Sequence, residues 1–276
     1  WFFTIGRYKD HTMRWASPWG DGFPGWHLEC SAIIHATLGD PIDIHTGGVD
    51  HIGTHHPNEM AETEAAFDHK LANYWVHNEF LLVDGEKMSK SKGNSYKLKD
   101  IIDKGFRPLD YRYFCLQAQY RTQLNFTWES LKGASTALDR LYSQVSNLKI
   151  LAEQDNQEES LISKDYASAF MSVLADDLNT PKALAVVWEL IGDSGISNKN
   201  KYAALLSFDS ILGLGLDNPP QEFLEIPTEI NNLTDQREEA RQKKDFTSAD
   251  QLREQIDVAG FSIDDTPYGP LIKRKK

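Results

Sequence analysis

The stretch His45-Thr46-Gly47-Gly48-Val49-Asp50-His51-Ile52-Gly53-Thr54-His55-His56-Pro57-Asn58-Glu59 follows a short β-branched run, Ile42-Asp43-Ile44. It carries four histidines, two carboxylates and three glycines in fifteen residues. A β-branched strand that ends in glycines and opens into a helix is the pattern of an α/β unit. Such a unit leaves backbone N–H groups and polar side chains at the carboxyl edge of a sheet, where open α/β sheets bind ligands. The stretch reads as one wall of a nucleotide and metal pocket.

Before it, Trp15 to Gly25 is too rich in Gly and Pro for regular structure, and Trp26 to about Leu38 reads as a helix. Trp26 and Cys30 are four apart, so they share a face of that helix. After it, Pro57 suits the first turn of a second helix that continues through Glu59–Ala66. Glu79-Phe80-Leu81-Leu82-Val83 reads as a further strand, and Asp84-Gly85 turns the chain into the small, cationic loop Glu86–Asn94. From Leu98 the pattern becomes helical, with helices expected at 98–104, 108–118, 127–149, 161–176, 180–192 and 199–213. An acidic loop at 152–160 and a linker beginning Asp217-Asn218-Pro219-Pro220-Gln221 interrupt them. The tail from Pro227 offers two helices, to Lys244 and over 247–259, then a short strand at Phe261–Ile263 and a basic terminus. These periods predict an α/β portion, a mainly helical bundle and a small α+β tail.

At 276 residues the chain is long enough for two or three domains. It opens at Trp1, without Met, in a run (Trp1–Ile5) that reads as part of a strand, and the expectation is a later portion of something longer. A net charge of -12 argues against nonspecific nucleic-acid binding by the whole surface, although cations cluster at Lys87–Lys99, Arg237–Lys244 and Lys273–Lys276. The two cysteines, Cys30 and Cys115, imply no disulfide framework, no apolar run is long enough to span a bilayer, and no signal peptide is visible. The expected setting is the cytoplasm, without membrane contact.

His55 and Glu59 stand at i, i+4, so on a helix their side chains converge; His56 has only Met60 at that spacing and is the poorer candidate. Adding Cys30 gives a thiol, an imidazole and a carboxylate, a donor set suited to zinc rather than to magnesium or calcium. Taken alone, an i, i+4 His/Glu pair is more often a solvated helix surface, and a lone cysteine inert packing. Three ligands are one short of a tetrahedron, so either the fourth position takes substrate or the missing ligand precedes Trp1.

Gly25-Trp26-His27-Leu28-Glu29-Cys30-Ser31-Ala32, Asp43–Asp50, His55-His56-Pro57-Asn58-Glu59 and Lys87-Met88-Ser89-Lys90-Ser91-Lys92-Gly93-Asn94 resemble, in order and spacing, the cysteinyl-tRNA synthetases, class I enzymes. Asp176–Pro181 resembles that family's helical-domain motif, and Ala240-Arg241 through Asp245-Phe246, Ala249-Asp250 and Asp265-Thr266-Pro267 its terminal region. The resemblance implies an incomplete Rossmann-like catalytic portion at 1–86 with the zinc site. Lysine-loop and stem-contact residues would follow at 87–126, a tRNA-binding helical bundle at 127–216, and a linker with a recognition tail at 217–276. It further implies that Cys30, His55 and Glu59 are three zinc ligands, with a second cysteine upstream. By the same resemblance Trp26, His27 and His45 line the amino-acid pocket, Gly48 and Asp50 contact the adenosine, and Lys87 and Lys90 carry the mobile loop that closes over ATP. Two such lysines can neutralise the charge gathering on departing pyrophosphate, although a lysine run by itself is usually a solvated loop.

His51-Ile52-Gly53-Thr54 looks like the family's His-Ile-Gly-His signature but lies too close to the lysine loop, and reads as coincidence. Gln119-Tyr120-Arg121 departs from the family, which more often has a histidine there. The reaction implied is activation of L-cysteine by Mg2+-ATP and transfer to the 3′ end of tRNA(Cys), by a monomer with one Zn2+. These 276 residues alone are expected to be inactive. Two rival readings are a cysteine ligase of mycothiol synthesis, which lacks the long tail, and a non-catalytic, zinc-stabilised tRNA-binding fragment.

Overall fold

The computed structural model describes residues 1–154, 164–220, 223, 226–266 and 269–274. Most of the expected acidic loop, the start of the 161–176 helix, Gln221, Pro267 and the last two lysines lie outside them. The chain forms two compact units, Trp1–Leu81 with Tyr120–Leu124, and Leu82–Gln119 with Asn125–Lys276.

In the first unit, β1 (Phe2–Phe3) pairs antiparallel with β2 (Gly22–Phe23). Helix α1 (Trp26–Thr37) leads to β3 (Ile42–Gly48), α2 (His55–Phe67) and β4 (Ala72–Asn78). The strands β3 and β4 run parallel, with Ile44 opposite Tyr74 and Gly47 opposite His77. Parallel neighbours need a crossover, and α2 supplies it, so β3–α2–β4 is a βαβ unit. Two sequence expectations change here. Gly47-Gly48, expected to close the strand, continues β3 as paired strand, and β4 lies before the strand expected at 79–83. The glycines stay extended because a partner backbone runs alongside them.

The chain enters the second unit through β5 (Leu81–Val83), which pairs antiparallel with β6 (Glu86–Lys87) across Asp84-Gly85. Both turn residues have positive φ, +51° and +78°, the conformation a two-residue hairpin demands. Then come α3 (Leu98–Asp103), α4 (Pro108–Leu116), β7 (Leu124–Phe126), α5 (Trp128–Gln154), α6 (Lys164–Ala175), α7 (Thr180–Gly192) and α8 (Asn198–Leu212). Helix α5 buries Leu131, Leu138, Leu141, Tyr142 and Val145, the three- and four-residue spacing of one helical face. Tyr142 is buried with its hydroxyl donating to the Leu214 carbonyl at 2.7 Å, so its polar end is satisfied inside the core.

The tail contains α9 (Thr228–Gln242), α10 (Phe246–Val258) and the antiparallel pair β8 (Phe261–Thr266) and β9 (Gly269–Arg274). It has its own core of Ile226, Ile230, Ile256, Phe261, Ile263 and Ile272. Among the described residues no helix is long and apolar enough to cross a membrane.

Candidate metal centre and lysine loop

The βαβ unit and α1 bring one carboxylate to the centre of a histidine cluster. Glu59, on the first turns of α2, is fully buried. Its Oε1 lies 2.8 Å from His55 Nε2, and its Oε2 lies 2.8 Å from His45 Nε2 in the middle of β3. Neither approach has hydrogen-bond geometry, so both carboxylate oxygens are buried without a hydrogen-bond partner. A buried charge in that condition is costly unless a cation meets it.

The sulfur of Cys30, reaching from α1, completes the first possible ligand set: one donor atom each from Cys30, His55 and Glu59, all within 4.8 Å of one another. His45, His56 and Glu59 satisfy the same test, sharing the carboxylate. The Cys30 thiol is pushed above its ordinary value by burial and then by the Glu59 charge. A divalent cation among these atoms would reverse that effect and favour thiolate. The residues thus fit a zinc ion by chemistry, burial and proximity.

The imidazoles hold one another in place. His27 Nδ1 is 2.6 Å from His55 Nδ1, leaving the other ring nitrogen of His55 to face Glu59. The Trp26 indole, more than half exposed, stacks on the His55 ring at 4.4 Å. His45 stacks on Trp75 at 4.6 Å. Burial, followed by the neighbouring imidazoles, pulls His56 down to about 4, so it is neutral at neutral pH and available as an acceptor or a ligand. The hydroxyl of Ser31, on α1, donates to the backbone carbonyl of Glu59 at 3.3 Å and fastens α1 to α2 beneath the cluster.

Gly47 is required here for space. A Cβ on it would lie 2.6 Å from His56 Cε1 and 2.8 Å from His51 Nδ1. On Gly48 a Cβ would lie 2.4 Å from the Asp50 carboxylate, so these two residues sit against each other where β3 ends, with Asp50 exposed. The structure therefore brings Trp26, His27, Cys30, His45, His55 and Glu59 together, with Gly48 and Asp50 at the rim of the same strand.

Three members escape sequence reasoning. His56 Nδ1 lies 2.7 Å from His77 Nε2, and His51 Nδ1 lies 3.3 Å from His56 Nε2. Spacing along a helix finds His55 and Glu59 but not partners on another element, and Trp75 and His77 come to the cluster only through the pairing of β4 with β3.

Lys87 and Lys90 belong to the second unit. Lys87 ends β6, and Lys90 opens a short 3-10 turn, Lys90–Lys92; both are exposed. Asn94 ties the loop's ends, accepting from the Ser89 N–H at 2.8 Å and donating to the Lys87 carbonyl at 3.3 Å. Lys92 pairs with Glu86 at 2.8 Å, whereas Lys90 has no ion pair among the described residues.

Residues 2–136 match the model of the tRNA synthetases class I (C) catalytic domain, 169–216 a DALR domain, and 225–268 a cysteinyl-tRNA ligase anticodon binding domain. A fold of this kind is shared with the AgnB2 LeuRS of Agrobacterium radiobacter K84, solved as a ternary complex with tRNA and LeuAMS. That match has a TM-score of 0.54 and 18% identity, over 75% of this chain and 33% of that one. The class is thus that of class I aminoacyl-tRNA synthetases: a catalytic domain followed by helical domains.

Cysteine–tRNA ligases of Borrelia turicatae and Nitrosomonas europaea are each 40% identical to the chain, over 99% and 97% of it. Cysteine–tRNA ligase 1 of Burkholderia lata is 45% identical over 93% of it. The chain belongs to the cysteinyl-tRNA synthetase family. It spans 53 to 60% of the length of these curated relatives.

Proposed function

We propose that the chain supplies the zinc centre, the lysine loop and the RNA-recognition helices of an enzyme that joins L-cysteine to tRNA(Cys) at the expense of ATP. The buried carboxylate of Glu59, on which donor atoms of Cys30 and His55 converge, carries this reading. Cys30, His55 and Glu59 would hold Zn2+, which, when bound, keeps a coordinated substrate thiol as thiolate. Shape alone rejects an isostere such as serine by no more than about a hundredfold, so a sulfur-seeking site is the economical source of selectivity.

The chain's own residues then position the reactants. Trp26 walls the amino-acid side, His27 fixes the His55 ring, and His45 offers a polar edge beside Glu59. Asp50 suits a ribose, its carboxylate accepting from sugar hydroxyls, while Gly48 leaves room for the approach. In the activation step a carboxylate oxygen of cysteine attacks the α-phosphorus of Mg2+-ATP, and pyrophosphate leaves. Lys87 and Lys90 would meet the charge on that leaving group. A ribose hydroxyl of the tRNA's 3′ adenosine then takes the cysteinyl group from the adenylate, and AMP leaves.

We assign 1–86 to catalysis and zinc, 87–126 to the loop and stem contact, 127–216 to tRNA binding and 217–276 to the recognition tail. The anticodon-binding-domain match over residues 225–268 favours a tRNA over an amino-sugar acceptor. Two free thiols are consistent with a reducing cytoplasm.

The test uses cobalt in place of zinc on this chain. Thiolate-to-cobalt charge transfer in the near ultraviolet should appear, vanish in Cys30→Ser and intensify when cysteine, but not serine, is added. A spectrum indifferent to Cys30→Ser overturns the assignment.

A further inference from the structure

The lysine loop, expected as a mobile flap, is folded upon itself. The Ser89 N–H donates to Asn94 Oδ1 at 2.8 Å, and Asn94 Nδ2 donates to the Lys87 carbonyl at 3.3 Å, so one side chain joins the two ends of the loop. Between those ends the Lys92 N–H donates to the Ser89 carbonyl and the Gly93 N–H to the Lys90 carbonyl, both at 3.2 Å. The Ser89 and Ser91 hydroxyls lie 2.8 Å apart. Gly93 has φ +69°, and a Cβ on it would meet nothing within 4 Å, so glycine is favoured here by backbone direction rather than by space. That left-handed step turns the chain so that Asn94 reaches back to Ser89 and Lys87.

Burial sorts the same residues into two sets. Met88, Ser89 and Asn94 are half-buried, whereas Lys87 and Lys90 are exposed. Lys92 is held by Glu86, just before the loop. The hydrogen-bonded ring therefore lies inward, and the lysines given a role above project from it. A loop without internal bonds gives up backbone freedom, residue by residue, each time it closes over a ligand. A loop already bonded to itself has lost that freedom beforehand, and charges fixed in advance stabilise a transition state without reorganising.

We propose that residues 87–94 act as one preformed unit and that Asn94 is a positioning residue, setting the spacing of Lys87 and Lys90 by closing the ring that carries them. This deepens the leaving-group reading of the two lysines and rests on it.

The first test uses the 276-residue chain and needs no substrate. Hydrogen exchange at the Ser89 amide reports the ring directly, because Asn94 accepts from that N–H. Asn94→Ala should speed its exchange about tenfold, the worth of two ordinary hydrogen bonds, with exchange along α5 and the melting midpoint unchanged. Asn94→Asp keeps the acceptor and should restore most of the protection. A Ser89 amide that exchanges as fast in the unaltered chain as in Asn94→Ala overturns the preformed loop.

The second test uses the gene product that carries these residues. Asn94→Ala should slow adenylate formation about tenfold and leave cysteine affinity unchanged. In the Lys87→Ala/Lys90→Ala background the same substitution should slow it no further, because nothing is left to position. Equal slowing in both backgrounds overturns the positioning role. If the two lysine substitutions leave adenylate formation unaltered, the leaving-group reading falls and the positioning role with it, while the Ser89 exchange still upholds or overturns the preformed loop.

Discussion

Arg237 places two guanidinium N–H groups on the Asp265 carboxylate, at 2.9 and 3.0 Å, and so ties α9 to β8. Arg237 is buried, and Arg241 one turn later also donates to Asp265. The tail's small apolar core is therefore closed by an ionic clasp. Hydrogen bonds from Arg237, then from Arg241, hold the Asp265 carboxyl at about 2, below its ordinary 3.8.

A pH dependence follows. The folded tail binds the Asp265 proton less readily than the unfolded chain, so the clasp stabilises fully above about pH 5 and fades as pH falls from about 4 to 2. Asp265→Asn should lower the melting midpoint at pH 7, and the gap between variant and parent should close on acidification. A gap that is constant from pH 7 to pH 3 contradicts this account.

Arg107 is the second buried clasp. Its side chain meets Asp110 at 2.6 Å and also donates to Asp139, while the Arg107 backbone N–H donates to Asp110 at 2.8 Å at the start of α4. Asp110 is almost fully buried. Replacing Arg107 by Met removes the cationic partner that Asp110 and Asp139 share, and breaking a buried pair from one side costs about 3–5 kcal/mol. Urea denaturation monitored by circular dichroism should show the helical unit unfolding at clearly lower denaturant; a loss under about 1 kcal/mol would indicate that water reaches the pair.

At the metal centre, Glu59→Gln preserves shape and removes charge. Zinc per chain, measured by elemental analysis after dialysis, should fall well below that of the unaltered chain, and Cys30→Ser should fall likewise. Equal stoichiometry in all three would show that metal, if present, is held elsewhere.

In the gene product that carries these residues, Lys87→Ala and Lys90→Ala should each slow adenylate formation by at least about tenfold while leaving cysteine affinity nearly unchanged. Rapid-quench kinetics beside equilibrium binding separates the two. Equal losses in both measurements would remove the leaving-group role.

Local chemistry made much of this legible in advance. Helix α5 announces itself by Leu131, Leu138, Leu141 and Val145, and the Asp84-Gly85 hairpin by its dipeptide. His55 and Glu59 are neighbours on one helix, so their spacing is enough to pair them. The strand β4 is different. Ala72-Asn73-Tyr74-Trp75-Val76-His77-Asn78 has no clear apolar run or alternation, and its identity as strand comes from pairing with β3 across a helical crossover. Missing it hides Trp75 and His77, and with them the partners of His56. Gly47 reads as a strand end because glycine commonly marks one; its reason is the imidazole packed where a methyl would go.

Glu59 touches His45 with one oxygen and His55 with the other. The carboxylate is thus a common term in the energetics of both sides of the pocket, and the two histidines should show epistasis. In a double-mutant cycle for metal affinity, His45→Ala and His55→Ala together should depart from the sum of the single losses, as contacting groups with a shared partner do. Substitutions on the amino-acid side will then be read partly as metal phenotypes, and an evolving sequence cannot tune one side without retuning the other.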